Sequence, residues 1–237
     1  LKPGRGLKAA PPAARRAGSG NFMSVDWAAK RHAMVERQLR RRGIFDERVL
    51  EAMAGIPREL FIAGEMRICA YDDGPVSIGH GQTISQPYMT ALMAQSLELR
   101  GSETVLEVGA GSGYHAAVLA ALAARVIAIE LIPELAEQAR LNLETAGCGA
   151  NVRVICGDGS LGFPAGAPYD AISVAAGAPK VPPALLEQLN DPGRLVIPVG
   201  DLDEQQLRVI SRNAGELTTQ MSAVCRFVPL RGGAGWR

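Results

Sequence analysis

The sequence predicts a single α/β domain. It should hold a mostly parallel sheet of seven strands with helices on both faces, finished by an antiparallel C-terminal hairpin and preceded by a helical cap. Three observations carry this prediction. Short β-rich runs alternate with helical stretches through the second half of the chain, the pattern of βαβ units with right-handed crossovers. The 237 residues, 47% of them hydrophobic, are enough for one generous core. A glycine-rich turn stands where the first core strand should pass into a helix.

Taken in chain order, residues 1–22 carry Lys2, Arg5, Lys8, Arg15 and Arg16 with no acid, amid Pro, Gly and Ala. This stretch lacks the apolar run of a secretory signal and is expected to be a flexible, solvated basic tail, with an organelle transit peptide as the alternative. Residues 23–237 should form the folded domain, with 23–87 a helical cap and substrate loop and 88–237 the core. From Trp27 to Arg42, Met34 and Leu39 alternate with Arg31, Glu36, Arg37 and Arg40 at helical spacing, and Gly43 supplies a stop. Asp46 can cap a second helix carrying Val49, Leu50 and Met53, closed by Gly55 and Pro57. Tyr71 to Pro87 is dense in Gly, Asp, Ser and Pro and reads as a long loop, a kind of segment that is usually functional or mobile.

Beyond Pro87, strands are expected at 104–108, 126–130, 152–156, 170–175 and 194–199. Helices are expected near 114–124, 133–146 and 183–189. Pro133 suits a first helical turn, with Leu135, Ala139 and Leu143 on one face. The runs 206–212 and 221–230, joined by Asn213-Ala214-Gly215, should form the closing hairpin.

Composition excludes several function classes. With 25 basic against 24 acidic side chains the net charge is +1, which lacks the basic surplus of a nucleic-acid binder. The apolar stretch 116–124 is far short of the roughly 20 residues needed to span a bilayer. Cys69, Cys148, Cys156 and Cys225 form no CxxC pair and read as reduced thiols in an intracellular compartment, and with no export signal read in the sequence the cytoplasm is the expected location. His32, His80 and His115 have no zinc-site spacing, so no metal is expected.

The chemistry concentrates in Leu106-Glu107-Val108-Gly109-Ala110-Gly111-Ser112-Gly113-Tyr114. Its GxGxG spacing differs from the GxGxxG of dinucleotide sites, so a pyrophosphate is not the expected guest. Glu107, two residues before the first glycine, would repel phosphate and attract an ammonium group. Glu130 ends the next strand about 20 residues on, where ribose hydroxyls are bound in open α/β sheets. Asp158, in Gly157-Asp158-Gly159, follows the third strand and is expected to reach an adenine amino group. A ligand with a ribose, an ammonium and no phosphate is S-adenosylmethionine.

These segments resemble the protein-L-isoaspartate (D-aspartate) O-methyltransferase family. The resemblance rests on Met34-Val35-Glu36-Arg37-Gln38-Leu39 with Arg42-Gly43-Ile44, and above all on Val76-Ser77-Ile78-Gly79-His80-Gly81-Gln82-Thr83-Ile84-Ser85-Gln86-Pro87-Tyr88-Met89. The glycine turn, Gly157-Asp158-Gly159, 168–172, 194–200 and Phe227-Val228-Pro229-Leu230 complete it. The glycine turn alone speaks for a class I S-adenosylmethionine-dependent methyltransferase with a Rossmann-like fold; the segment 77–89 singles out the family. The resemblance implies that Ser85 is the active-site serine and that Gln82, Thr83 and Ile84 fold over the cofactor. It also implies that Val228 helps hold the substrate carboxylate through its backbone. The cofactor contacts expected are Glu107, Gly109, Gly111, Ser112, Gly113, Glu130, Leu131, Asp158 and Gly159. Two departures stand out. The polar residues the family carries after Pro-Leu are replaced here by Arg231-Gly232-Gly233-Ala234-Gly235-Trp236, and a leucine, Leu131, follows the ribose acid.

The implied activity is methyl transfer from S-adenosylmethionine to the α-carboxylate of isoaspartyl residues in damaged proteins and peptides, leaving S-adenosyl-L-homocysteine and initiating repair. Such a carboxylate, with pKa about 3.5, is already ionised near neutrality and needs no general base. Alignment of the reactants is therefore the expected source of rate, worth roughly 7–11 kcal/mol at the limit. Ser85 is expected to donate a hydrogen bond that orients the acceptor. Partners are expected to be isoaspartyl polypeptides, with no nucleic acid and no membrane, the enzyme acting as a monomer. Two other readings are a class I methyltransferase with a different small-molecule acceptor, and a non-catalytic cofactor-binding relative.

Overall fold

In the computed structural model, residues 25–236 are described, so the expected basic tail 1–22 lies outside them. The cap begins with α1 (Trp27–Met34), whose N-terminus is capped by the Asp26 carboxylate accepting from Ala29 N–H (2.9 Å). The expected single helix to Arg42 is not regular throughout. It passes into a π turn at Val35–Leu39 and a 3-10 turn at Arg40–Arg42 before Gly43, at φ 88°, ends it. Widening and then tightening the helix lets Met34, Val35 and Leu39 all reach the core. Helix α2 (Glu47–Gly55) starts at Asp46, which caps Arg48 N–H, and buries Val49, Leu50, Ala52 and Met53.

The segment expected as loop holds a short antiparallel hairpin, β1 (Val76–Gly79) with β2 (Gln82–Ile84). A helix absent from the sequence expectation follows, α3 (Pro87–Ser96), with proline in its first turn. It buries Met89, Thr90, Ala91, Met93 and Ala94, so its apolar residues form no single stripe and leave no amphipathic period to read.

The core then alternates as predicted: β3 (Thr104–Val108), α4 (Tyr114–Leu122), β4 (Arg125–Glu130), α5 (Pro133–Thr145), β5 (Val152–Cys156), β6 (Tyr169–Val174), α6 (Pro183–Glu187) and β7 (Leu189–Gly200). Two antiparallel strands, β8 (Gln205–Asn213) and β9 (Glu216–Cys225), finish the sheet. The order across its seven strands is β5-β4-β3-β6-β7-β8-β9, parallel through β7. The last strand is offset from the expected 221–230. It starts at Glu216, and residues 227–230 leave the sheet to pair with Gly177, whose N–H donates to Val228 O (2.8 Å) and whose carbonyl accepts from Leu230 N–H (2.8 Å).

Register sets the two faces. Val105, Val126, Ala171, Val196, Leu207 and Val209 point to one side, packed with the cap, α2, α3 and α4. Leu106, Ile127, Ile172, Leu195 and Ile197 point to the other, under α6 and two short 3-10 turns. Central strands buried on both faces are what a parallel sheet requires. Reversal of strand order on either side of β3 opens a crevice at the strand C-termini, and the chemistry-bearing residues gather there.

Candidate active site

The floor of the site is the glycine turn after β3. Gly109 and Ala110 N–H groups donate to Ile129 O (2.8 and 3.1 Å), tying the turn to β4. Gly113 has φ 87°, and a Cβ there would lie 3.1 Å from Ala139 O, so the turn can nest against α5 only without a side chain. Glu130, at the end of β4, is held on both oxygens. Gly111 N–H donates to Oε2 (2.8 Å) and Ile132 N–H to Oε1 (3.0 Å), which fixes the carboxylate at the cleft wall.

The β1–β2 hairpin hangs over this floor. Ile78 rests on Gly111, 3.4 Å from where a Cβ would stand, and the tip Gly79-His80-Gly81 is left-handed at all three residues. The first cleft lies between hairpin and floor. Of the expected cofactor contacts, Gln82, Thr83, Gly109, Gly111, Glu130, Leu131 and Gly159 line it. Val108, Ile129, Ala175 and Ala176 join them from the strand ends, and His80, Pro229, Leu230 and Arg231 from the rim. None of these is among the expected cofactor contacts, although the C-terminal ends of β3, β4 and β6 are where the fold class locates a ligand.

Five expected cofactor contacts lie away from that wall. Ile84 is buried in the main core. Ser112 turns inward, its carbonyl accepting from Asn142 Nδ2 (2.9 Å), and Gly113 packs on α5. Glu107 is wholly buried beneath the turn and neither carboxyl oxygen has a hydrogen-bond partner among the described residues. Burial, reinforced by the nearby Glu130 charge, raises its carboxyl well above the usual carboxylate range, so it offers no exposed negative charge to an ammonium. Its neighbour is His115, whose Nδ1 lies 3.6 Å from Glu107 Oε1; burial lowers that imidazole to about 4 and keeps it neutral.

Asp158 is engaged by the chain itself. Its Oδ1 accepts from Ser160 N–H (2.9 Å) and Ser160 Oγ (2.6 Å), and its Oδ2 from Gly233 N–H (2.7 Å). These bonds to the carboxylate hold its pKa below the usual value despite partial burial. The glycine-rich C-terminus thus forms a strap. Ala234 N–H donates to Ser160 Oγ (3.0 Å) and Trp236 Nε1 to Gly177 O (3.0 Å), pinning it across the end of the sheet.

A second cleft adjoins the first and shares Thr83, Ala175 and Val228 with it. Ser85 lines this second cleft with Gln86, Tyr88 and Met89 at the start of α3, and with residues 223–227 at the end of β9 and just beyond it. Arg42 closes one side, its guanidinium 3.8 Å from the Tyr88 ring centroid and 3.1 Å from both oxygens of Asp73. Ser85 and Val228, 143 residues apart in sequence, are thereby brought to one cavity beside the first cleft. Among the described residues no three His, Cys, Asp or Glu side chains cluster as a metal site.

Comparison with known proteins bears on what this pair of clefts does. Residues 29–235 match the family profile described as protein-L-isoaspartate(D-aspartate) O-methyltransferase. The protein-L-isoaspartate O-methyltransferase 2 of Marinobacter nauticus is 57% identical over 208 residues, 87% of this chain and 94% of that one. The protein-L-isoaspartate O-methyltransferase of Methanoculleus marisnigri is 50% identical over 209 residues, covering 88% and 94%. Among solved structures, a beta-aspartate methyltransferase from Plasmodium falciparum in complex with S-adenosyl-L-homocysteine superposes with a TM-score of 0.73 at 28% identity, over 85% of this chain and 98% of that one.

Proposed function

From the chain's membership of the protein-L-isoaspartate (D-aspartate) O-methyltransferase family, we propose the division of labour at its two clefts. The protein is an S-adenosylmethionine-dependent carboxyl O-methyltransferase of isoaspartyl residues, an activity that initiates protein repair. The residues present fit that cofactor: the carboxylate of Glu130 is pinned at the end of β4, where open α/β sheets bind a ribose, and the floor is free of Cβ atoms at Gly109 and Gly111. When bound, the cofactor supplies an electrophilic methyl group on a sulfonium.

The chain's own residues do the rest. Glu130 accepts from the ribose hydroxyls, the Gly109–Gly111 backbone lies against the ligand, and Gln82 and Thr83 cover it from the hairpin. Ser85 donates a hydrogen bond to the substrate α-carboxylate and Val228 holds it through its backbone. No side chain has to remove a proton, because that carboxylate is ionised above a pH of about 3.5. His115, neutral and buried behind the floor, is no candidate base. The hairpin and strap exclude water, which strengthens every polar contact at the reacting carboxylate.

The observation that carries this division is the junction itself: Thr83, Ala175 and Val228 belong to both clefts, with Glu130 on one side and Ser85 on the other. The second cleft opens between the cap and the end of the sheet, which supports flexible isoaspartyl polypeptide segments as substrates; among the described residues no helix is long and apolar enough to cross a bilayer. Four free thiols support a reducing, cytoplasmic setting. Ser85→Ala tests the assignment. Methyl transfer to an isoaspartyl peptide should fall by about 10²-fold, as removal of one transition-state donor typically costs, with cofactor affinity retained. Wild-type turnover in that variant would contradict the role given to the serine.

A further inference from the structure

Arg58 is fully buried, an unusual position for a guanidinium, and the reaction as described makes no use of it. It sits in the 3-10 turn Arg58–Phe61 that follows α2. Its Nε donates to Ala70 O (2.7 Å) and its Nη2 to Ser85 O (2.7 Å). The guanidinium carbon lies 4.8 Å from the centroid of the Tyr114 ring, the first residue of α4 after the glycine turn. Burial lowers its pKa to about 10, so it remains a cation at neutral pH.

Among the described residues no carboxylate neutralises this charge by a salt bridge; the nearby Glu59 is instead engaged by the Tyr71 hydroxyl and, at 3.9 Å, by Arg31. Nη1 is buried without a partner among the described residues. An isolated buried cation costs stability, and a well-packed apolar side chain would usually serve the core better. What Arg58 alone supplies is a rigid fork that reaches two carbonyls in different segments while its face lies on an aromatic ring. One of those carbonyls belongs to Ser85, the serine assigned to the substrate carboxylate, and the ring belongs to the helix that leaves the glycine turn.

We propose that Arg58 is a positioning residue for methyl transfer. By holding the Ser85 carbonyl and the Tyr114 ring together, it fixes the serine hydroxyl relative to the glycine turn and so sets the alignment of substrate carboxylate and methyl donor. The inference rests on the reading of Ser85 given above. Its consequence is a defect in turnover rather than in binding, because misplacement of a reacting group by about 1 Å can cost around 10²-fold in rate.

The test is a double-mutant cycle in the full chain with Arg58→Lys and Ser85→Ala, reading kcat and KM for an isoaspartyl peptide, cofactor affinity and thermal unfolding. Lysine keeps the charge but cannot bridge both carbonyls. Arg58→Lys should lower kcat by about 10–10²-fold, with KM and cofactor Kd within roughly threefold of wild type. In the Ser85→Ala background the same change should cost little more, since residues that act as a unit are non-additive. Should the lysine variant be unfolded, Arg58→Gln, which brings no charge into the core, carries the same comparison. A folded variant with wild-type kcat, or equal losses in both backgrounds, would overturn the proposal. Failure of the serine reading is distinguishable, because it appears as a fully active Ser85→Ala enzyme irrespective of Arg58.

Discussion

Glu130 gives both carboxylate oxygens to backbone N–H groups and still faces the first cleft, so its orientation is set before any ligand arrives. Glu130→Gln puts an amide donor against one of those N–H groups and removes the charge. Losing a charged hydrogen bond costs about 1.5–3 kcal/mol, so cofactor Kd measured by calorimetry should rise roughly 10- to 100-fold; an unchanged Kd would refute the ribose assignment. Gly113→Ala should destabilise the fold by about 1–3 kcal/mol, because it adds left-handed strain to a close contact with Ala139, and a thermal melt reads it. His115 gives a pH signature. Its folded pKa of about 4 lies below the unfolded value, so the unfolded chain binds more protons as pH falls through 6.5. That contribution to stability is complete above pH about 6.5 and is lost toward pH 4, amounting to about 2 kcal/mol at pH 5. The facing Glu107 acts in the opposite sense, with stability lost as pH rises above its ordinary range, so comparison with His115→Gln isolates the imidazole term. A His115→Gln protein whose stability falls between pH 7 and 5 as steeply as wild type would contradict this. At this scale the sequence was informative where a strand end fixes direction, as at Glu130. The expectations placed on Glu107 and Asp158 carried no sign of what the fold does with them, since the burial of Glu107 and the bond from the distant Gly233 to Asp158 leave no local pattern.

The hairpin, the strap and the end of β9 complete the site, and they are also the elements least legible in the sequence. The β1–β2 hairpin is short, interrupted by a bulge and dense in turn residues, so no alternation marks it. Strand β9 is exposed on nearly every residue from Glu216 to Cys225, so neither face is selected for apolar side chains and its bounds have no hydrophobic signal. The core strands were readable because each is a compact β-branched run between turns. The strap carries its own prediction. Gly232 has φ 132°, and any side chain there would meet the Asp158 carboxylate, so Gly232→Val should displace residues 232–236 from the rim. With about 1 kcal/mol lost per hydrogen bond released, cofactor affinity should fall roughly fivefold or more per bond that contributes to closure. Retained affinity in a folded Gly232→Val protein would mean that the strap does not help close the cleft.

At the scale of the whole molecule, the parallel sheet brings the ends of β3, β4 and β6 together, and the N-terminal cap lines the adjoining second cleft. The fold class was legible from the alternation of strands and helices together with the glycine turn. The junction between clefts was not, because sequence spacing does not reveal that Ser85 and Val228 meet across the strand ends. That junction sets Ser85 and Val228 beside the cleft lined by Glu130 and the glycine turn. The most direct measurement is transfer of labelled methyl from S-adenosylmethionine to a short isoaspartyl peptide and to its normal-aspartate twin. Labelling of the isoaspartyl peptide alone is expected. Equal labelling of the two, or none in either while the cofactor binds, would contradict it.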